Sequence, residues 1–522
     1  MPVTKTTPPH CQWAVESPRS MDCPGFWQLA GSRARLQGRP WGWPPLRLLT
    51  WIVVGGVVLA TTLSAQELPP SSASTAVATP AAIAEPKSPQ HDAPVPGQHV
   101  DLAALARRAG RAVEPSWAQA TPRRELELDY DFEITSVQNG ARLASTVNSL
   151  RAGDRLWVGE GTWTFAPAFE VSLQGTADAP IWIEARAGQQ VIITRADARQ
   201  NVINVGSPSK GPSRFLCLRG LELTGGSAGL RLHQCSDVWI DGCEIHHTGE
   251  AGLTANTHNT DRLFITRNHI HHTAGYGEGM YLGANNGAVI MSRSVIAANH
   301  VHHCGGHQGD GIEIKQGSWD NWIVANTVHH TQYPSLLVYG TGGRAVNVIE
   351  NNILYGSDAV VLQVQGEALV RNNLVMGGAI GFHSHDHQGQ TVNLQLVHNT
   401  IVVEGLGADL SSWNDRGGMV FANNAVYSNE GKAIVAEHGV QGVAVAGNVV
   451  FGAVQGAPAT GFSSGRGLGD FRGLSWDGSL RDPRPSKASA LRGQGDRRFA
   501  VWADLFGMER VEQVAAGCAV SR

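Results

Sequence analysis

The sequence predicts an all-β protein: a parallel β-helix solenoid of about ten or more coils, preceded by a signal segment and a disordered linker. A short motif, Asn followed by any residue and then Ile, Leu or Val, recurs at intervals of 21 to 31 residues. This period is typical of solenoids, and the apolar residues between copies alternate as in strands rather than with a helical period. Glycine is abundant, at 62 of 522 residues, and charged residues are only 16%, which favours many tight turns between short buried strands.

The composition excludes several classes of protein. Hydrophobic residues make up 42% of the chain, which suffices for a core and excludes wholesale disorder. The formal net charge of −4 gives no general attraction to nucleic acid, so we expect no nucleic-acid partner. Seven cysteines include no Cys-x-x-Cys pair and are not spaced as in a disulfide-stapled domain, so we expect buried free thiols. The motifs of serine hydrolases, zincins and nucleotide-binding loops are absent.

The N-terminal part has the pattern of an export signal. Arginines precede the apolar run Leu48–Leu63, and the small residues Ser64 and Ala65 follow it. We therefore predict a signal peptide over residues 1–65, with an uncleaved single-span anchor as the alternative. Either reading makes the protein exported: periplasmic, extracellular or surface-attached. Residues 66–125 are rich in Pro, Ala and Ser and are predicted to form a linker.

The recurring asparagine motif defines the predicted solenoid, residues 126–455. Asparagine tolerates left-handed backbone at a turn, and stacked side-chain amides can hydrogen-bond from one coil to the next. We therefore interpret the asparagine column as structural. The copies begin at Asn268, Asn299, Asn326, Asn351, Asn372, Asn399, Asn424 and Asn448.

The entry to the solenoid carries a family resemblance. Ala152-Gly153-Asp154, the run 159–163 (GEGTW) and the run 175–181 (GTADAPI) occur in order. This series resembles the opening coils of right-handed β-helix proteins of the pectate lyase-like superfamily, including the alginate lyase and chondroitinase B family. The resemblance covers about residues 140–455 and implies a right-handed helix. It is specific for the fold and weak for the reaction.

One face of the solenoid is predicted to bind substrate. Each coil has a strand of the form small–apolar–x–apolar–y, in which x and y point outward because strand side chains alternate. Stacking then produces two outward columns: Arg231, Thr254, Tyr281, Glu313, Leu337, Val361 and Gly381 in one, and His233, Asn256, Gly283, Lys315, Tyr339, Gln363 and His383 in the other. From these we select as substrate-binding residues Tyr281, Arg231, His233, Gln363 and His383.

The middle of this face contains the candidate catalytic and metal-binding residues. The run 310–315 (DGIEIK) resembles the coil that supplies the lysine base in several β-helix polysaccharide lyases, which implies that Lys315 is the base. In that family acidic residues near the lysine hold calcium, so Ca²⁺ is an expected cofactor, with ligands chosen here as Glu278, Asp310 and Glu313. The family's arginine one coil later is absent, and Tyr339 stands there as the predicted proton donor. The alternative is that Lys315 and Glu313 form an ordinary solvated ion pair.

Two groups of histidines leave further alternatives open. One histidine pair recurs in four successive coils, which either forms a plain ladder of rings or brings imidazoles within reach of a metal ion. These pairs are His246-His247, His271-His272, His302-His303 and His329-His330. The run 383–387 (HSHDH) either is a mobile polar loop or directs imidazoles together for metal binding or proton transfer.

The leading functional prediction is a polysaccharide lyase that performs β-elimination on a uronate-containing polymer. The alternatives are an epimerase or glycoside hydrolase on the same scaffold, and a non-catalytic polysaccharide-binding or adhesion module. The expected partner is an acidic polysaccharide, contact with a membrane is expected only through an N-terminal anchor, and the chain is expected to be a monomer. Residues 456–522 are predicted to form a terminal coil and a cap, with a helix over 498–516 covering the open end.

Overall fold

The computed structural model describes residues 100–195, 197–510 and 514–520. The predicted signal segment and the linker up to residue 99 lie outside these residues. No helix in the described ranges is both long and apolar enough to cross a membrane.

The described chain winds into a solenoid of about thirteen coils, which confirms the predicted fold class. Each complete coil contributes three short strands, and every strand of the solenoid pairs in parallel with its counterparts in the coils before and after it. The first sheet contains Arg124–Leu128, Asp154–Val158, Ile181–Ala185, Ser213–Arg219, Cys235–Asp241, Phe264–Thr266, Val295–Ala297, Trp322–Val324, Asn347–Glu350, Ala368–Arg371, Leu394–Val397, Val420–Ala422 and Ala444–Ala446, with Thr260–Asp261 and Met291–Ser292 at its side.

The second and third sheets complete each coil. The second sheet contains Gly161–Thr164, Val191–Arg195, Glu222–Gly225, Glu244–Thr248, His269–Thr273, His300–Cys304, Thr327–Thr331, Ile353–Ser357, Leu374–Met376, Thr400–Val403, Ala425–Val435, Asn448–Gln455 and Phe462–Ser464. The third sheet contains Glu170–Val171, Ile203–Val205, Leu230–Leu232, Leu253–Ala255, Met280–Leu282, Ile312–Ile314, Leu336–Val338, Val360–Val364, Ile380–His383 and Leu406–Asp409. In the last coils, Ala425–Val435 runs through both sheets, since its first half pairs with Thr400–Val403 and its second half with Leu406–Asp409.

The core lies inside the coils and consists of stacked aliphatic side chains. In the first sheet, Ile296, Ile323 and Ile349 follow one another in register and are fully buried. The five described cysteines are also buried and free, as predicted. Parallel stacking in register therefore gives each sequence position of a coil a continuous column through the core.

The asparagine column is a hydrogen-bonded ladder. The backbone N–H and the side-chain Nδ2 of Asn299 both donate to Oδ1 of Asn326, at 3.0 and 2.9 Å, and Asn299 Nδ2 also donates to the carbonyl of Ile265 at 2.8 Å. The same pattern links the buried asparagines Asn268, Asn299, Asn326, Asn352, Asn373, Asn399, Asn424 and Asn448. The left-handed backbone lies one residue before the ladder asparagine, for example at Ala298 and Ala325. In two coils the predicted Asn351 and Asn372 are these left-handed residues, and the ladder asparagine is the next one.

Helix Ser136–Ser149 covers the first coils. Thr135 and Gln138 form a capping box at its N-terminus, which satisfies two backbone N–H groups that have no partner within the helix. Its apolar side, including Leu143 and Val147, packs into the core beside Trp163.

Residues 100–123 pack on the outside of the first sheet, although the predicted linker extends to residue 125. Helix Leu102–Ala109, capped by Asp101, buries Leu105 against a cluster that contains Trp322. Trp117 is 4% exposed and packs in a T-shaped arrangement on Trp239. The folded part therefore begins earlier than predicted, because aromatic and aliphatic residues in this segment have an apolar surface to cover.

The described residues of the C-terminal segment, 498–510 and 514–516, do not form the predicted helix over 498–516. The strands Phe471–Leu474 and Arg481–Pro485 form an antiparallel pair, and the one regular element described beyond them is the 3₁₀ turn Arg497–Phe499. The short 3₁₀ turns Asn285–Gly287 and Leu468–Asp470 complete the helical elements among the described residues. Leu491, Leu505 and Cys518 are buried against the outer side of the second sheet. The segment runs along the side of the solenoid because the sheet is apolar there.

Replacement of one ladder asparagine should weaken the whole solenoid. Asn326→Ala leaves the backbone N–H of Asn299 and the carbonyl of Ile296 buried without their present partners. Each such group costs about 1–3 kcal/mol, so the unfolding free energy should fall by roughly 3 kcal/mol. Urea unfolding followed by circular dichroism measures the change. The control Asn429→Ala removes an exposed hydrogen bond to Glu404 and should leave the midpoint nearly unchanged; equal midpoints for the two variants would contradict the role of the ladder.

Candidate functional site

The outward face of the third sheet carries a column of mostly polar side chains. The residues that stack in this column differ in part from the predicted ones. The pairing places Arg231, Thr254, Tyr281, Glu313, Leu337, Gln363, His383 and Asp409 one above another. Gln363 and His383 therefore belong to the column of Glu313 and not to that of Lys315. Val361 is buried in the core, because strand Val360–Val364 turns both Val361 and Leu362 inward and shifts the following residues. The predicted columns are correct from Arg231 to Leu337.

Lys315 and Glu313 are an ion pair inside the molecule and not on its surface. Their side chains are 6% and 3% exposed, and Lys315 Nζ donates a short hydrogen bond to Glu313 Oε1. The other carboxylate oxygen, Glu313 Oε2, is buried without a hydrogen-bond partner. Burial raises the pKa of Glu313, and the adjacent ammonium group of Lys315 opposes this increase. The alternative of an ordinary solvated ion pair is thus wrong, since the loops around the strand enclose the two side chains.

Two tyrosine rings flank the ammonium group. Lys315 Nζ lies 4.5 Å from the ring centroid of Tyr281 and 5.5 Å from that of Tyr339. The position below Lys315 is Gly283, with φ of 94°, where an added Cβ would lie 3.0 Å from the Cβ of Lys315. Burial raises the pKa of both phenols, so both hydroxyls stay protonated at neutral pH. The arrangement places two hydroxyl donors around one ion pair.

Two further carboxyl groups lie next to the pair at equivalent positions of consecutive coils. The carbonyl of Glu278 accepts from Gly252 N–H, and the carbonyl of Asp310 accepts from Gly279 N–H in the same way one coil later. Burial raises the pKa of Glu278 to about 7 and that of Asp310 well above its ordinary value. Asp310 Oδ1 is buried without a hydrogen-bond partner. The raised pKa of each group favours its protonated form.

These residues line two neighbouring cavities. Asp310, Glu313, Lys315, Tyr339 and Gln363 line one of about 280 Å³. The second, of about 560 Å³, is lined by Arg231, Thr254, Asn256, Glu278 and Tyr281, and by the exposed ring of Tyr276. Asn285 and Gln308 line both, so the two cavities are parts of one groove.

The groove contains polar atoms that lack partners. Arg231 Nε, Thr254 Oγ1 and Asn256 Oδ1 are buried and have no hydrogen bond within the described residues. A buried donor or acceptor without a partner is unfavourable, so these atoms favour a polar ligand. A guanidinium group, a hydroxyl and an amide together match the carboxylate and hydroxyl groups of an acidic sugar.

Two of the predicted substrate-binding residues lie outside these cavities. His233 Nδ1 lies 2.9 Å from Thr257 Oγ1, and His383 Nε2 lies 3.7 Å from Asp409 Oδ2. The structure instead places His387, from the same loop as His383, on the wall of the smaller cavity, with its ring centroid 5.7 Å from that of Tyr339. The alternating loop 383–387 therefore contributes its last histidine, and not its first, to the groove.

Residues missed by the sequence analysis build the groove walls. Asn286 N–H donates to Gln388 Oε1 at 2.7 Å, which joins two loops 102 residues apart. Asn285 and Gln308 belong to a stretch with an unusually long repeat interval, the 31 residues from Asn268 to Asn299, and to the coil that follows it. The long interval could have predicted these wall residues, because extra residues in one coil of a solenoid form a loop on its surface.

Comparison with known proteins agrees with the fold. Residues 194–345 match a family profile described as "Right handed beta helix region". The fold is a right-handed parallel β-helix. No curated protein sequence matches the chain.

Solved structures similar to this chain include a protein bound to xylose and two lyases, as their titles describe them. The structure titled as a complex of XylC with xylose has 11% identity and a TM-score of 0.50, with 72% of this chain and 94% of the other covered. Pectate lyase Pel9A has 13% identity and a TM-score of 0.41, with 75% and 98% covered. The alginate lyase from Paenibacillus sp. str. FPU-7 has 19% identity and a TM-score of 0.38, with 65% and 97% covered. At these identities the similarity is one of fold.

The elevated pKa of Glu278 predicts a pH-dependent stability. The unfolded chain ionises this carboxyl near its ordinary pKa of about 4.3, whereas the folded chain keeps the proton until about pH 7. The folded state therefore loses stability relative to the unfolded state as pH rises between these values. Compared with wild type, Glu278→Gln should gain in urea midpoint between about pH 5 and 8.

The exposed Glu437→Gln serves as the control for that experiment and should follow wild type at both pH values. A midpoint difference between wild type and Glu278→Gln that does not change with pH would show that the Glu278 carboxyl titrates normally.

Proposed function

We propose that the groove catalyses β-elimination on a uronate-containing polysaccharide. The observation that carries the proposal is the buried Lys315–Glu313 pair between two protonated tyrosines, in a groove that continues to the unpaired Arg231. Elimination at a uronate needs a base for the proton at C5, a group that stabilises the carboxylate as charge develops on it, and an acid for the leaving oxygen. Each of these has a candidate in the groove.

Lys315 is the proposed base and acts as the neutral amine. Its Nζ hydrogen-bonds to Glu313 Oε1, which positions the nitrogen in the groove. The neutral amine then takes the C5 proton, the C4–O4 bond breaks, and a C4–C5 double bond forms. Tyr339 donates its hydroxyl proton to the leaving O4, so the atoms and charges of the elimination balance.

Asp310 and Arg231 are proposed to bind carboxylates. Burial raises the pKa of Asp310, which favours the protonated form, and in that form it donates a hydrogen bond to the carboxylate of the reacting sugar. Arg231 lies three strands before Glu313 in the same column, at roughly 14 Å, given the usual strand spacing of about 4.8 Å. It is therefore placed to bind the carboxylate of a different sugar unit of the same polymer.

The predicted calcium ligands, Glu278, Asp310 and Glu313, have no role as ligands in the proposed elimination, and Ca²⁺ binding stays a prediction. Calcium takes about six to eight oxygen ligands, whereas Glu313 already pairs with an ammonium group. Glu278, Asp310 and Glu313 are not among the groups of described residues whose ligand atoms all lie within 4.8 Å of one another. The proposed elimination therefore has no step that uses the ion.

A glycoside hydrolase is the second candidate, favoured by Glu278 and Asp310. Their equivalent positions in adjacent coils place two carboxyl groups with raised pKa values in neighbouring parts of the groove. Such enzymes use two carboxyl groups about 5–10 Å apart, one of them as an acid. Hydrolysis releases reducing ends without a double bond, whereas elimination produces an unsaturated sugar. An epimerase would change the sugar without cleaving the chain, and a binding module would change nothing.

Replacement of Lys315 by arginine separates catalysis from folding. Lys315→Arg keeps the positive charge that pairs with buried Glu313, but a guanidinium does not deprotonate near neutral pH. We expect turnover to fall by ~10²–10⁴-fold with an unchanged melting temperature. Ultraviolet absorbance of the unsaturated product, with alginate, pectate and glycosaminoglycans as substrates, measures the reaction. Lys315→Ala is a poorer test, because it leaves Glu313 buried without its partner.

Tyr339→Phe should also reduce elimination by ~10²-fold or more, since it removes the proposed proton donor and keeps the ring. Exposed Tyr333→Phe, whose ring lies at the edge of the smaller cavity, is the matched control and should retain turnover. Full activity of Lys315→Arg on a verified substrate would contradict the assignment of Lys315 as the base. Release of reducing ends without an unsaturated product would favour the hydrolase.

A further inference from the structure

The outer face of the second sheet carries a patch of imidazoles and carboxylates in two adjacent columns. One column contains His246, His271, His302 and His329, and the other contains Glu222, Glu244, His269 and His300. The C-terminal segment covers the later, apolar members of the same columns, such as Met376 and Leu374. It leaves the histidine half uncovered, since the side chains of His269 and Glu244 are 40% and 44% exposed.

Within this patch three imidazoles converge. The ring centroids of His269, His300 and His302 lie 4.6 to 5.0 Å from one another. One ligand nitrogen from each of the three residues lies within 4.8 Å of the other two. His302 is buried while His269 and His300 are partly exposed, so the convergence point is accessible from solvent.

A neighbouring carboxylate completes the pattern of a metal site. Glu244 Oε1 lies 3.5 Å from Nδ1 of His269, whose Nε2 lies 2.7 Å from Nε2 of His302. A carboxylate on the far nitrogen of a ligating histidine fixes the orientation and tautomer of the ring. Glu244 Oε1 also lies 3.0 Å from Nε2 of His271, so one carboxylate contacts a ring in each of the two columns.

We propose that His269, His300 and His302 bind a divalent transition-metal ion of the zinc class, with Glu244 orienting His269. Imidazole nitrogen is a preferred ligand of Zn²⁺, Cu²⁺ and Ni²⁺, and three imidazoles leave one coordination position for water. Tetrahedral zinc needs nitrogens about 3.3 Å apart, so the ion replaces the His269–His302 hydrogen bond after a small ring rotation. His300 exchanges its contact with His329, whose Nε2 lies 2.8 Å away.

The proposed ion joins two consecutive coils of the solenoid. His269 belongs to one coil, His300 and His302 to the next, and Glu244 to the coil before. An ion that binds only the folded chain stabilises it, so saturating zinc should raise the melting temperature. The site lies on the second sheet and is independent of the groove on the third sheet and of the reaction proposed there.

The test is zinc binding to the full chain without a histidine tag, after removal of metals with a chelator. We expect one tightly bound Zn²⁺ per chain by calorimetric titration and by elemental analysis after gel filtration. His269→Gln, His300→Gln and His302→Gln should each abolish stoichiometric retention, and Glu244→Gln should weaken binding by ~10–100-fold. Because His302 is buried, the two exposed variants keep the test valid if His302→Gln unfolds.

His330→Asn is the matched control. His330 belongs to the same ladder but not to the triad, and asparagine tolerates its left-handed backbone, with φ of 50°. It should bind zinc as wild type does and keep the zinc-dependent rise in melting temperature. Retention of zinc by His300→Gln with loss in His271→Gln would assign the ion to the neighbouring group Glu244, His269 and His271 and overturn the proposed triad. Absence of stoichiometric binding in wild type would leave a plain ring ladder and overturn the proposal altogether.

Discussion

Parallel stacking in register is the constraint on which the rest of the molecule depends. The asparagine ladder enforces it at one corner of each coil. Each amide donates to a backbone carbonyl and to the amide oxygen of the next asparagine, and it accepts from the backbone N–H of the preceding asparagine. Once register is fixed at that corner, a residue at a given position in a coil lies about 4.8 Å from its counterpart in the next. The side chains of a site on a β-helix therefore come mainly from equivalent positions in successive coils. Residues from coils further apart come into contact only where long loops extend from the coils.

Both candidate sites illustrate this rule. The groove arises where the outward column of the third sheet changes from threonine and tyrosine to glutamate, and where longer loops rise on both sides of it. The histidine patch arises where two outward columns of the second sheet become imidazole together. The same columns turn apolar a few coils later, and there the chain covers them with its own C-terminal segment.

The sequence was sufficient for the fold and for much of the candidate site, because columns follow from periodicity. The alternation of strand residues predicts that Arg231, Tyr281 and Glu313 lie in one column, and the strand pairing confirms this. The predicted columns are wrong from Val361 onward, because two consecutive residues, Val361 and Leu362, point into the core. No change in composition marks this shift of register. The burial of Lys315 was also missed, since the loops that enclose it carry no periodic signal. The helix predicted over 498–516 was wrong for a related reason. The C-terminal segment has no repeat from which to predict its position, and its conformation depends on the apolar part of the second sheet that it covers.

The buried pair of Lys315 and Glu313 is the feature that a purely structural account explains least well. Two charges removed from water carry a desolvation penalty of several kcal/mol each, and well-packed apolar residues at such positions are often as stable or more stable. A solenoid can tolerate this in one coil, because its register is fixed by thirteen stacked strands and by the asparagine ladder on another side. The stability of the repeats thus compensates for a buried ion pair that a smaller core would not tolerate. We explain the presence of this pair by the chemistry proposed for the groove.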